Sequence, residues 1–238
     1  MVTLEHIKKM SYQEKDWLQD ELWNLIATNN IKEVKNFLKD FRPKDVFCDA
    51  NFDFEQEAMI NAPLTLYQAC IAYEKTQDWT LLEFLLGLGL QANDTDGENN
   101  VLQYYIKLGR NNPEVIHFLL QKGASFETIG QGKEASGWNI IHKCAHDQQA
   151  DTLRLLAKFG ADMQTRTQVY HNGELIAQTP LMIAASSTQE PMGIATKALL
   201  ALGVDINASD NKQTALDVAM GVNKEILKNA GAKRYCEL

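Results

Sequence analysis

Cysteine is scarce in this chain. Its four copies among 238 residues, Cys48, Cys70, Cys144 and Cys236, are scattered and form no Cys-x-x-Cys pair. That speaks against a disulfide framework and for reduced thiols in a cytosol. Basic charge is short as well: 23 Lys and Arg stand against 31 Asp and Glu, for a net charge of −8 and a pI near 5.2. Nonspecific binding to nucleic acid or to anionic membranes needs a positive field, so neither is expected. Long apolar runs are missing; none approaches the roughly 18 residues of a membrane span. Met1-Val2-Thr3-Leu4-Glu5-His6 has no basic stretch leading into an apolar core, so no signal peptide is expected. Cys236-Glu237-Leu238 falls one residue short of a prenylation box. Gly130-Gln131-Gly132 lacks the Lys-Ser/Thr of a phosphate loop. With 45% hydrophobic and 23% charged residues, the composition is that of a soluble globular protein.

What the chain does have is a pattern that returns. Gly137-Trp138-Asn139-Ile140-Ile141-His142-Lys143-Cys144-Ala145 is followed by Leu153, Leu156 and Gly160-Ala161-Asp162. Leu66-Tyr67-Gln68-Ala69-Cys70 leads in the same way to Leu82, Leu85, Leu86 and Gly89. Asp94-Thr95-Asp96-Gly97 and Val101-Leu102-Gln103-Tyr104 lead to Ile116, Leu119, Leu120 and Gly123. Thr179-Pro180-Leu181-Met182-Ile183-Ala184-Ala185 leads to Leu199, Leu200 and Gly203, and Asp210 to Ala219 leads to Gly231-Ala232. Each copy predicts two short helices, the second ended by a Gly that can turn left-handed. Upstream, Ser11-Tyr12-Gln13-Glu14 fits a capping box opening a helix with Leu18, Leu22, Leu25 and Ile26 at helical spacing. Val34, Phe37 and Leu38 give a second apolar face. Phe41, Phe47, Phe52 and Phe54 are too apolar for a free linker and are expected to pack as a loop.

The recurring unit resembles the ankyrin repeat, about 33 residues with a β-turn and two antiparallel helices. The resemblance covers residues 64–232, and the N-terminal helices align with it as a capping unit. It implies an all-α fold, an ankyrin-repeat solenoid of stacked helix-turn-helix units with β-turn fingers. Residues 1–62 then form the N-terminal helical cap and an irregular linker. Residues 63–238 form the repeat domain, with repeats at 63–93, 94–128, 134–166, 174–208 and 209–238. Between the third and fourth repeats stands an insertion. Asn172-Gly173 within it is a strong hairpin signal, so an extended two-stranded finger is expected. The last, shortened repeat, with Lys224, Lys228, Lys233 and Arg234, reads as a C-terminal cap.

The resemblance also implies where a partner binds, because ankyrin finger tips and first-helix outer faces serve no core. Those positions are Thr95, Asp96 and Glu98; Trp138, His146 and Asp147; and Gln178, Ser186 and Ser187. The finger adds Val169, Tyr170, His171 and Asn172. Trp138 stands where a polar residue is usual, which makes it a hot-spot candidate; the alternative is packing on Ile129 or on the hairpin. Tyr170 either meets the partner or makes a cross-strand contact with Leu175 or Ile176. The acidic stretch Asp94, Asp96 and Glu98 is either plain solvated surface or an attraction for a basic partner.

Chemistry is weighed against this. His142-x-Cys144-x-His146 invites a metal site, but the resemblance assigns His142 to tethering the turn backbone. Cys144 points roughly 160° away around the helix, and no further ligand cluster is near. Asp94-Thr95-Asp96-Gly97 lacks the distant bidentate Glu of a calcium loop. Cys48, beside Asp45 and Asp49, is the likeliest nucleophile by position, yet acidic neighbours raise a thiol pKa. The expectation is therefore a non-enzymatic protein-interaction module without metal or cofactor. Its partner is another protein, it inserts in no membrane, and it is monomeric on its own. Alternatives are a regulator or effector that inhibits or recruits a host enzyme, and a cysteine-dependent enzyme. The degenerate repeats and long inner loops are similar to those of ankyrin-repeat effectors of intracellular bacterial pathogens. That would imply delivery into a host cell by a secretion system without a classical signal peptide; a resident cytoplasmic protein fits equally.

Overall fold

The computed structural model describes residues 3–43, 62–127, 137–167, 169–171, 174–210 and 212–238. These are mostly helical, with very little strand. The order is α1 Leu4–Ile7, α2 Tyr12–Ala27, α3 Ile31–Phe37, α4 Ala62–Thr76, α5 Thr80–Gly87, α6 Val101–Lys107, α7 Pro113–Gln121, α8 Ile140–His146 and α9 Ala150–Lys158. Then follow β1 Val169–His171, β2 Glu174–Ile176, α10 Pro180–Ser186, α11 Ile194–Ala201, α12 Ala215–Val218, α13 Asn223–Asn229 and a 3₁₀ turn at Tyr235–Glu237. Among the described residues no helix is long and apolar enough to cross a membrane. The chain divides into two compact units, residues 1–104 with 118–125, and residues 105–117 with 126–238.

In the first unit α2 is packed onto α4. Ser11 opens α2 with the reciprocal capping box, its N–H bonding Glu14 Oε2 at 2.7 Å and its hydroxyl accepting from Glu14 N–H at 3.4 Å. Leu18, Leu22 and Ile26, at helical spacing, are fully buried, while α2 meets both α3 and α4. Trp23 Nε1–H donates to Thr65 Oγ1 at 2.9 Å, fixing α2 against α4. The rings of Tyr73, Trp79 and Phe118 stack nearly parallel, with centroids 3.5 and 4.3 Å apart, and Lys122 Nζ lies 5.2 Å from the Phe118 centroid. The expected packing of Phe47, Phe52 and Phe54 falls outside the described residues.

In the second unit the helices form two rows. α10 packs between α8 and α12, and α11 packs against both α9 and α13. The small residues Cys144, Ala145, Ala184, Ala185, Ala195 and Ala198 are fully buried where the rows approach. Leu153, Leu156, Leu199 and Leu227 fill the core between them, each burial contributing about 1.5–3 kcal/mol.

One closure recurs throughout. Gly89, Gly123, Gly160, Gly203 and Gly231 all have φ between +78° and +97°. Each ends a second helix, and the N–H of the next residue, such as Ala124 to Leu119 or Ala161 to Leu156, bonds back at 3.0 to 3.5 Å. A side chain then ties neighbouring helix pairs. Asn93 Oδ1 accepts from Ser125 N–H (3.1 Å), Gln164 Oε1 from Asp205 N–H (3.0 Å) and Asn207 Oδ1 from Lys233 N–H (2.8 Å). Every acceptor stands four residues past one closing Gly, and every donor two residues past the next.

Gly193 is a tighter case. Its φ is +92°, and a Cβ there would come within 2.7 Å of Ile226 Cδ1 and 3.2 Å of Val222 Cγ2. Gly203, at φ +78°, has open space instead. Gly203→Ala is expected to lose about 1 kcal/mol from backbone conformation alone, and Gly193→Ala about 2 kcal/mol, because side chains of α13 must also move. Urea unfolding of the two variants measures the difference; equal losses would show that the contact with α13 costs nothing.

Candidate functional site

The expected partner residues lie in both units. In the first unit, residues 94–100 form a tight turn closed by a bridge between Thr95 and Asn100. Thr95 Oγ1 accepts from Gly97 N–H at 3.0 Å. Asp96 Oδ1 accepts from the N–H groups of Glu98 (2.8 Å) and Asn99 (2.6 Å), and Asp96 Oδ2 accepts from the Tyr104 hydroxyl at 2.5 Å. Asp96 thus spends both oxygens on its own turn and is half-buried. Burial, followed by the bond to Asp96, pushes the Tyr104 phenol well up from its ordinary range. Tyr104 stands where other copies carry a small residue because its hydroxyl completes this turn. Thr95 and Glu98 remain exposed.

In the second unit the structure brings Trp138, His146, Asp147 and Ser187 together. Asn139 caps α8, its Oδ1 accepting from Ile141 N–H (3.0 Å) and His142 N–H (3.2 Å). That reversal lays the half-buried Trp138 indole on the His146 ring at the other end of the helix, centroids 5.1 Å apart and tilted by 49°. His146 Nδ1 lies 2.8 Å from Asp147 Oδ1, and Asp147 Oδ2 pairs with Lys143 Nζ. Lys143 was not singled out by the sequence; its i, i+4 spacing to Asp147 was the available signal. Ser187 is buried, and its hydroxyl donates to the His146 carbonyl at 2.6 Å, so it supports the cluster from beneath. Ser186 is half-buried with its hydroxyl on Ile183 O.

The hairpin stands beyond this group. Val169, Tyr170 and His171 pair with Ile176, Leu175 and Glu174. Thr167 and Gln178 close its base, with Thr167 N–H to Gln178 O at 3.0 Å and Gln178 N–H to Thr167 Oγ1 at 2.9 Å. The expected side-chain roles of Val169, Tyr170, His171 and Asn172, the Asn172-Gly173 turn and the contact of Trp138 with Ile129 lie outside the described residues. Arg166, also missed in the sequence, ties the base to the next turn: Nη1 donates to Ala177 O (3.0 Å) and Ser209 O (2.7 Å).

The residues that invited chemistry diverge. His142 is fully buried, and its Nδ1 accepts from Asn139 N–H at 3.2 Å. Burial holds its pKa down at about 4, against the opposing pull of the Thr165 and Gln178 backbone. Those two residues lie against the ring, yet Nε2 makes no hydrogen bond of good geometry. Cys144 is buried with Sγ 3.5 Å from Gln149 Oε1, and burial pushes its thiol far above the ordinary range. Cys70 is shifted likewise. A thiol held protonated in an apolar interior is a poor nucleophile. Cys48 lies outside the described residues. Among the described residues no three His, Cys, Asp or Glu side chains are grouped to hold a metal ion.

A scan against protein-family models and a search of curated proteins return no match for this chain.

Proposed function

We propose that this chain is a non-enzymatic protein-interaction module of the ankyrin type. In this reading the helix pairs form one all-α solenoid, the turns are its fingers, and the hairpin at 167–178 is one finger drawn out. The observation that carries it is the in-phase tie between helix pairs, made by Asn93, Gln164 and Asn207 at one fixed offset from the closing glycines. Units that repeat such a bond are stacked copies of one element, and a solenoid of this kind offers its fingers and first helices to partners.

Trp138 and the exposed side chains around it form the contact surface. The indole is held by Asn139 and His146 on a rigid helix start, so it can bury large area with little loss of entropy. Lys143, His146 and Asp147 supply a polar rim. Glu98 and Thr95 form a second, acidic contact on the first unit. The partner is another protein, met in a cytoplasm, and no cofactor takes part.

Affinity capture from cell lysate tests the surface. Trp138→Ala is expected to lower recovery of a specific partner about tenfold or more, as a central aromatic anchor does. Glu98→Lys should lower it less, and Lys197→Ala, on the outer face of α11, should leave it unchanged. A partner recovered equally by wild type, Trp138→Ala and Glu98→Lys would show that binding uses another face.

A further inference from the structure

Among the described residues, no backbone hydrogen bond reaches one strand edge of the hairpin. Antiparallel ladders alternate hydrogen-bonded and non-hydrogen-bonded residue pairs. Thr167 and Gln178 are a hydrogen-bonded pair, so in the observed register Val169–Ile176 is hydrogen-bonded and Tyr170–Leu175 is not. The backbone N–H and C=O of Tyr170 and Leu175 therefore face outward along opposite edges of the two-stranded sheet. The β2 side is tied at its base, because Arg166 joins the Ala177 and Ser209 carbonyls. No such bond reaches the outer edge of β1 among the described residues.

Protected edges carry Lys, Pro or a bulge. Val169-Tyr170-His171 has no Lys or Pro, and all five residues from Thr167 to His171 lack Asp, Glu, Lys and Arg. Val and Tyr favour strands. A two-stranded hairpin is marginal alone and gains from further strands. The occupant must be an extended segment with an unpaired edge of its own and little charge. The same β1 in another molecule has both properties, and it avoids the like-charge repulsion that a net charge of −8 sets up elsewhere on the chain.

We propose that β1 pairs antiparallel with β1 of a second copy, giving a four-stranded sheet in the order β2-β1-β1-β2. A two-fold axis at Tyr170 lets each Tyr170 N–H bond the other copy's Tyr170 carbonyl, and the assembly closes at two. The dimer departs from the monomer expected from sequence. It stands apart from the partner reading, since it forms from this chain alone.

Sedimentation velocity of the full chain over a concentration series is the test. Wild type is expected to pass from one chain mass to two. Tyr170→Pro removes an outward donor without touching a ladder bond inside the hairpin, and it should leave a monomer with unchanged helical circular dichroism. Tyr170→Lys keeps the backbone and sets two like charges opposite each other; it should weaken the dimer at least tenfold. Leu175→Pro, on the other edge, should leave the dimer intact. A wild type that stays monomeric throughout overturns the pairing and leaves the edge to a strand of a different protein. A dimer that persists undiminished in both Tyr170 variants, or that Leu175→Pro abolishes, overturns it as well.

Discussion

Replacing Asn223 with Leu is expected to cost this protein about 3 kcal/mol of stability, although the two side chains are similar in size. Asn223 is fully buried at the start of α13. Its Nδ2 donates to the carbonyls of Ala184 (3.3 Å) and Ala185 (3.1 Å), and its Oδ1 accepts from the Thr196 hydroxyl at 2.7 Å. The C-terminal end of α10 and the first turn of α11 are thus both satisfied by one residue of α13. Leu would leave the buried Thr196 hydroxyl without this acceptor. Ala184 O would keep only Gln148 Nε2, at 3.4 Å, while Ala185 O would keep Met220 N–H at 2.9 Å. Asn223→Asp should cost at least as much at neutral pH, because a carboxylate would face two carbonyls. Asn229→Leu, exposed on the same helix, should change stability by less than about 0.5 kcal/mol. Urea unfolding followed by circular dichroism measures all three. A loss for Asn223→Leu no larger than that for Asn229→Leu would mean that the buried bonds contribute nothing net.

The same network reaches back one helix pair. Gln148 is buried in the turn before α9, and its Oε1 accepts from the N–H groups of Gly193 and Ala195, both at 3.1 Å. It supplies the cap that α11 lacks, since Gly193 has no side chain to offer. Gln148 does this from φ +58°, a conformation that favours Gly. Because Gln148 and Asn223 share the Ala184 carbonyl, their substitutions should couple. Three successive helix pairs of the second unit are therefore joined by buried polar bonds as well as by apolar contact.

How much of this can be read in the sequence depends on the range of the interaction. The closing glycines are legible because a left-handed turn after an apolar helix has few other solutions. The capping box at Ser11 and Glu14 is legible because both partners lie within one turn. Asn223 is not, since it opens a helix among Lys224, Glu225 and Lys228 and looks like one more solvated residue. Its partners belong to α10 and α11. The bonds of Ser187 and Asp96 are hidden for a similar reason: small polar side chains look like surface, yet their oxygens are committed to the His146 carbonyl and to the 94–100 turn. The Trp138–His146 contact appears only once the Asn139 cap fixes the angle at which the chain enters α8.

His142 supplies a prediction that runs on pH. The folded protein holds it neutral with a pKa of about 4, chiefly through burial, whereas an unfolded chain protonates His at about 6.5. Between those values the unfolded state binds a proton that the folded state refuses. The neutral ring's full contribution is therefore present above pH 6.5 and is lost progressively as pH falls toward 4. The total is about 3 kcal/mol, at about 1.36 kcal/mol per pKa unit. Exposed Glu14 and Asp78 have carboxyls lowered by hydrogen bonds from Ser11 and Thr80, so their losses set in only below about pH 4.5. The protein itself indicates the right substitution. At the corresponding cap position of α6, the buried Gln103 accepts from Asn100 N–H at 2.9 Å, just as His142 accepts from Asn139. His142→Gln is expected to keep the helical fold and to flatten the dependence of unfolding free energy on pH between 6.5 and 4.5. Since His142 lies against the backbone of Thr165 and Gln178 at the base of the hairpin, the protection of the Thr167 and Gln178 amides from exchange, taken relative to the intrinsic rate at each pH, should also fall in acid in the wild type and not in the variant. A pH slope that survives His142→Gln unchanged would assign the titration to other groups and remove the link between this buried ring and the finger above it.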